Sequence, residues 1–203
     1  MMVRPLAFLA MCGLLLARPA AAQVASQAAA PAPAAGRSVA APVGYNWQLL
    51  PEVNAAVLKP FTWNYKAEAS RDAQAYFVTR EKIMPGKQFQ TGMSLNVVRQ
   101  ISAKSKQPAD AYARAFTARS GRAAGQQVLS QETKAQGPLR LYGVRYRVAN
   151  SGSDAKIIQQ WAIANATTDT FYLLLFESPE KDWPLAWKFG EEMIKQLRLD
   201  GKV

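Results

Sequence analysis

Residues 156–178, KIIQQWAIANATTDTFYLLLFES, decide how this chain folds. Two strand-like runs flank the polar turn Ala-Thr-Thr-Asp. In the first, Trp161 and Ile163 share one face while Ile158, Ala162 and Ala164 share the other. In the second, residues 171–176 are apolar at every position, so a pleated strand there puts large side chains on both faces and neither face can sit in water. The hairpin is therefore expected in the interior of a sheet, and something must cover each side of it.

The segment that follows supplies one cover. After Ser178-Pro179, Asp182 reads as a helix cap and Pro184 is tolerated in the first turn, so the spacing predicts a helix through WPLAWKFGEEMIKQLRL to Asp200-Gly201. Ala186, Phe189, Met193 and Leu197 fall on one side with Trp183, Trp187, Gly190 and Ile194 beside them, a broad apolar face on which Gly190 permits close approach. Upstream, residues 139–149 alternate cleanly. Tyr142, Val144, Tyr146 and Val148 take one face, and Leu141, Gly143, Arg145 and Arg147 the other. The turn NSGSD joins this strand to the hairpin.

Further out the same pattern continues. Residues 127–134 read as a strand ended by Gly137-Pro138. A helix opening at Pro108-Ala109-Asp110 continues to Gly121, with Tyr112 and Phe116 on a narrow apolar stripe and Arg114 and Arg119 outside. Residues 91–101 place Met93, Leu95 and Val97 on one face of a half-buried strand. Residues 80–90 contain Pro85 and Gly86 and read as a loop. Residues 62–67, with Trp63 and Tyr65 on one face, pair with residues 75–79 as consecutive antiparallel strands, and residues 54–59 form another short strand. Strands in runs joined by short turns, with one helix between them and one at the end, argue for an α+β fold with a central, mainly antiparallel β-sheet flanked by helices.

The chain has 203 residues, room for one domain with a core that folds without staples. Its first 22 residues carry Arg4, an apolar run over 6–17 and small residues at Ala20, Ala21 and Ala22, the layout of a cleaved signal peptide. A periplasmic or secreted protein is expected. Residues 23–43 are mostly Ala with Pro, Ser and Gln, too little apolar bulk to offset ordering, and read as a flexible linker. A single α+β domain over 44–203 is expected. The lone Cys12 lies within the leader behind Met11, where a lipid-anchor signal wants a small residue, so the exported chain is expected to carry no cysteine. Histidine is absent throughout.

That composition removes function classes. Nucleophilic triads built on His, and zinc in Cys/His sites, have no residues to use. There is no P-loop, dinucleotide fingerprint or spaced acidic calcium loop, so neither a cofactor nor a metal is expected. Carboxylates remain: Glu52, Glu68, Asp72, Glu81 and Asp169 could do paired-acid hydrolysis if the fold brought two together. The Asn165-Ala-Thr167 sequon reads as a turn. The five tryptophans, Trp47, Trp63, Trp161, Trp183 and Trp187, read as core packing groups, with Trp47 nearest the linker the most open to another role.

The formal net charge is +11, and loss of Arg4 and Arg18 with the leader takes it to +9. Nearly all the excess lies in residues 99–147: Arg99, Lys104, Lys106, Arg114, Arg119, Arg122, Lys134, Arg140, Arg145 and Arg147 against Asp110 and Glu132. Two readings stand. Either the segment engages an anionic membrane, cell-wall surface or acidic envelope protein, or its charges simply keep a basic exported protein soluble. Aromatic and basic residues are not interleaved as in single-strand nucleic-acid binders, and nucleic acid is not an expected partner. Arg145 and Arg147 share a face, with Arg140 near them in sequence, and these three are the candidate anion- or partner-binding residues, through guanidinium fork geometry.

The early strands with Trp63, the TGMSLNVV strand, the helix after Pro108, the QQWAIANATTDTFYLLLFESP hairpin and the closing WPLAWKFGEEMIKQLRL helix together resemble the PsbP-like fold family, which includes small bacterial exported proteins of DcrB type. The resemblance runs over residues 45–199. It implies an α/β/α sandwich with helices on both faces of the sheet, and a role as an accessory or binding protein, often at a membrane surface, rather than an enzyme. A photosynthetic role is not implied, since no photosystem-docking motif is present. The expected function is a non-enzymatic exported binding protein of the cell envelope. The alternatives are a small-molecule hydrolase using carboxylates in a cleft and a homo-oligomerising structural module.

Overall fold

The doubly apolar run lies where its composition demands, inside a seven-stranded antiparallel sheet. In this computed structural model, residues 40–70, 73–84, 88–149 and 154–199 are described. The expected signal peptide and most of the expected linker lie outside them, as do Asp72, Pro85, Gly86, most of the NSGSD turn and the Asp200-Gly201 helix stop.

The sheet comprises β3 (Asn64–Ala69), β4 (Gln74–Thr79), β5 (Gly92–Arg99), β6 (Gln126–Gln136), β7 (Leu139–Val148), β8 (Lys156–Asn165) and β9 (Thr170–Pro179). Their order in space is β3-β4-β5-β9-β8-β7-β6, each neighbour antiparallel to the next. The helices are α1 (Ile101–Ser105), α2 (Ala109–Arg119) and α3 (Trp183–Lys195). Along β9, Tyr172, Leu174 and Phe176 join Trp63, Trp161, Trp183, Ala186 and Met193 in the larger core on the α3 side. Phe171 points the other way, into a smaller cluster with Ala109, Ala113, Ala162 and Ala164 beneath α2. The run is covered on both faces, and the architecture is the expected α+β sandwich.

A second sheet of three strands, absent from the sequence reading, packs beside α3. It joins β1 (Tyr45–Leu50), β2 (Ala55–Pro60) and β10 (Arg198–Leu199) in the order β1-β2-β10. Ala55, Val57 and Leu58 of β2 complete the larger core. The helix expected to run to the end of the chain therefore stops at Lys195, and Arg198 and Leu199 pair with Ala56 and Ala55. Leu197 and Leu199 gain burial against the core by leaving the helix, a tertiary gain that outweighs local helix propensity. Ordering at the front also begins before Gly44, since Ala41 packs against the same core and the Tyr45 N–H donates to the Pro42 carbonyl at 3.1 Å.

Asp182 does not cap α3 with its side chain. It sits in a single 3-10 turn and its carboxylate lies 3.5 Å from Arg80 instead. The buried positions of α3 are Trp183, Ala186, Gly190 and Met193, which rotates the stripe away from Phe189. Gly190 is the point of closest approach: a Cβ there would stand 2.7 Å from the Phe176 ring.

Candidate functional site

The residues singled out by sequence do not gather in one place. Strand alternation puts Arg140 on the α2 side of β7 and Arg145 and Arg147 on the α3 side. Arg140 donates to the Gly137 and Leu139 carbonyls and lies near Arg114 and Asp110, around the Tyr142 hydroxyl. Arg147 already grips a carboxylate of its own chain, its Nε lying 2.9 and 2.8 Å from the two oxygens of Glu180 and Nη2 2.8 Å from one of them. Sequence could not reveal that partner, which lies 33 residues away. The basic segment as a whole is split between the two faces and forms no single patch among these residues.

Arg145 differs from both. Its Nε donates to Gln159 Oε1 at 2.9 Å, directly across the β7–β8 pair. Its guanidinium carbon stands 4.4 Å from the Trp187 ring centroid and 5.3 Å from that of Trp183, and those two indoles stack on each other at 5.1 Å and 12°. The indole faces attract the guanidinium by cation–π interaction. Its terminal nitrogens make no hydrogen bond among the described residues. Burial lowers the Arg145 pKa, while Glu132 and Glu191 act against that fall; a guanidinium nevertheless stays charged at neutral pH.

Arg145 lies in a groove of about 540 Å³ between α3 and strands β6 to β8. Glu132 and Lys134 of β6 form one wall, paired at 2.7 Å, and Glu191, Ile194 and Lys195 of α3 form the other. Trp161 makes the floor, with Lys134 Nζ 4.8 Å over its ring. Gly143 makes this floor possible, because a Cβ there would meet the Trp161 ring at 2.8 Å and Glu132 at 2.9 Å. The groove thus offers three cations, two carboxylates and stacked indole faces. Trp161 and Trp183 are buried, as expected of core groups, but their ring faces also line or support this site. A bare glycine opposite a tryptophan on the neighbouring strand was the available sequence signal.

Of the carboxylates named for hydrolysis, the four that are described each engage a partner of their own. The Glu52 carboxylate accepts from Tyr76, Glu68 pairs with Lys66, and Glu81 accepts from the Gln90 and Thr91 N–H groups at 3.3 and 3.0 Å. Asp169 accepts from the N–H and hydroxyl of Ser102, tying the β8–β9 turn to the start of α1. Asn165 Oδ1 accepts from the Thr167 and Thr168 N–H groups at 3.0 and 3.3 Å, so the sequon asparagine shapes its turn. Among the described residues no three His, Cys, Asp or Glu side chains meet where they could hold a metal ion, and no helix is long and apolar enough to cross a membrane.

No family model matches the chain, and no curated protein does. Among solved structures it is similar to cyanobacterial PsbP (CyanoP) from Synechocystis, with 11% identity and a TM-score of 0.50 over 83% of this chain and 99% of that one. The fold is PsbP-like. The PsbP-like domain is also similar to the Saccharomyces cerevisiae Ran-binding protein Mog1p, at 14% identity and a TM-score of 0.44 over 76% of this chain and 95% of that one. A Pseudomonas aeruginosa protein of unknown function gives 12% identity and a TM-score of 0.44 over 78% and 98%. At 11% identity the likeness to cyanobacterial PsbP speaks for the fold alone.

Proposed function

We propose that this protein is a non-enzymatic binding protein of the cell envelope, and that the groove beside α3 receives a carboxylate-bearing segment of a protein partner. The observation that carries this reading is Arg145: a charged guanidinium over the Trp187 ring whose two terminal nitrogens make no hydrogen bond among the described residues, in the lining of a concave site. A carboxylate would accept both terminal N–H groups in fork geometry, and charge-assisted bonds of this kind are about twice as strong as neutral ones. Glu132 and Glu191 would disfavour a ligand of uniform negative charge, and Lys134 and Lys195 would disfavour one of uniform positive charge, so the site suits a mixed polar segment better than a flat anionic surface. Envelope location follows from the leader read in the sequence. Absence of histidine, the usual general base, supports a role without catalysis.

Trp161 and Trp187 give the site its own reporter. Titration with the peptide acetyl-Ala-Glu-Ala-Lys-Ala-amide should shift tryptophan emission saturably, and the same peptide with Gln replacing Glu should bind on the order of tenfold more weakly. Arg145→Gln should abolish that difference, while Arg140→Gln should leave it intact. Equal binding of the two peptides by the unaltered protein would reject the carboxylate role of Arg145. Salt-sensitive retention on anionic vesicles that survives Arg145→Gln would move recognition to the α2-side arginines.

A further inference from the structure

Among the described residues the outer edge of β6 has no neighbouring strand, and every residue from Gln127 to Gln136 is exposed. An edge of this kind presents a row of backbone donors and acceptors ready to pair. We propose that it pairs antiparallel with β6 of a second copy of this chain, about a two-fold axis through Thr133, joining the two seven-stranded sheets.

The straight part of the strand is bounded at both ends. The β6–β7 register slips between Val128 and Ser130, a bulge at Leu129, and the chain turns after Gln136. The regular segment between those limits is residues 130–136, SQETKAQ, whose middle residue is Thr133. A two-fold axis on that residue maps the segment onto itself. It sets Ser130 opposite Gln136, Gln131 opposite Ala135, Glu132 opposite Lys134 and Thr133 opposite its own counterpart.

The charge pattern selects this register. Directly opposed side chains in an antiparallel pair stand about 4.5–5.5 Å apart at Cβ, where opposite charges attract, like charges repel and threonines pair favourably. Moving the axis to Glu132 sets glutamate against glutamate, and moving it to Lys134 sets lysine against lysine. An axis midway between neighbouring residues sets Glu132 and Lys134 against uncharged partners. The Thr133 axis alone opposes the charges twice over, and a contact so related is isologous and closed, giving a dimer and not a filament. Glu132 and Lys134 now pair with each other at 2.7 Å on the α3 side of the strand, and pairing of two copies would let each also face its opposite number. The same charges and bulge could serve only to protect a bare edge, and solution mass separates the two roles.

Sedimentation equilibrium of the purified protein from about 1 to 200 µM should show a reversible monomer–dimer equilibrium. Glu132→Lys should leave lysine facing lysine, and Lys134→Glu glutamate facing glutamate. Each variant should dissociate on the order of tenfold more readily than the unaltered chain. Mixed in equal amounts the two should reassociate as a heterodimer, because one chain then carries lysine at both positions and the other glutamate at both. Both residues are exposed, and unchanged circular dichroism would exclude unfolding as the cause of dissociation. A monomer at every concentration, single variants as dimeric as the parent, or a mixture that fails to reassociate would each overturn the proposal. The readout is mass without peptide, so failure here leaves the groove's ligand untouched.

Discussion

The two faces of the seven-stranded sheet are covered by different means. On the α3 side, Tyr172, Leu174 and Phe176 are fully buried among Trp63, Met93, Leu95, Met193 and the strand β2, with aromatic rings on several sides of Phe176. On the α2 side the buried cluster is largely alanine: Ala109, Ala113, Ala162 and Ala164 around Ile101 and Phe171. Alanines let a helix lie close but remove little apolar area from water, and burial stabilises by roughly 25 cal/mol per Å². Polar attachments hold α2 as well. The Tyr142 hydroxyl donates to Asp110 Oδ1 at 2.7 Å, and Gln160 Nε2 donates to Ser120 Oγ at 2.7 Å. One face thus holds most of the buried apolar bulk. The other is secured by direction-specific bonds over a thin apolar layer.

Adjacent leucines on β9 test that division most directly. Leu174 is fully buried toward α3, while Leu173 is half-buried toward α2. Leu174→Ala should cost about 4 kcal/mol, the upper part of the range for a buried leucine, and Leu173→Ala about 1.5 kcal/mol. Equal losses in urea unfolding would break the comparison. Next in size is Gly190→Ala. A new methyl group would press on the Phe176 ring, which Trp63, Trp183 and Trp187 surround. The gain in helix propensity is at most about 1 kcal/mol, and overpacking should exceed it, leaving a net loss of about 1–2 kcal/mol. A stabilised variant would mean that the α3 side is less tightly packed than its contacts indicate.

How much of this could be read from the amino acids follows the range of the interactions involved. Strands β7, β8 and β9 were legible because alternation, or its absence at residues 171–176, reflects burial at each residue. The α3 stripe was legible for the same reason at helical spacing. Strand β1 was not, because Asn46 and Leu49 are exposed while Trp47 and Gln48 are half-buried, a pattern without clean alternation. Nor was β10, two residues whose extended shape exists only because β2 is beside them. At the site, the shared face of Arg145 and Arg147 was visible from strand period. Their different fates were not, since Glu180 and the Trp183–Trp187 stack reach them from elements placed by the fold.

The smallest expected effect concerns the end of the α2-side face that α2 does not cover. There Glu177 is largely buried, its carboxylate 3.3 Å from Lys156 Nζ, which also donates to the Phe89 carbonyl. Burial pushes the Glu177 pKa above the usual carboxylate range, and Glu81 adds to the rise. The charge and hydrogen bond of Lys156 oppose it without cancelling it. Nearby Tyr146 is pushed up to about 12 by burial and by Glu177. A carboxyl whose folded pKa lies above its unfolded value binds its proton more tightly in the folded state. Its contribution to stability is therefore fully present below the unfolded value and is lost as pH rises through the folded one. Glu177→Gln removes this titration while keeping an oxygen that can accept from Lys156. The stability of the unaltered protein relative to Glu177→Gln should thus increase as pH falls from 7 toward 4, with carboxylates whose surroundings are unchanged cancelling in the difference. Thermal melts of the two proteins across that interval measure it. A relative stability that instead decreases on acidification would make Lys156 the dominant influence on Glu177, and this end of the sheet would then be held by its ion pair.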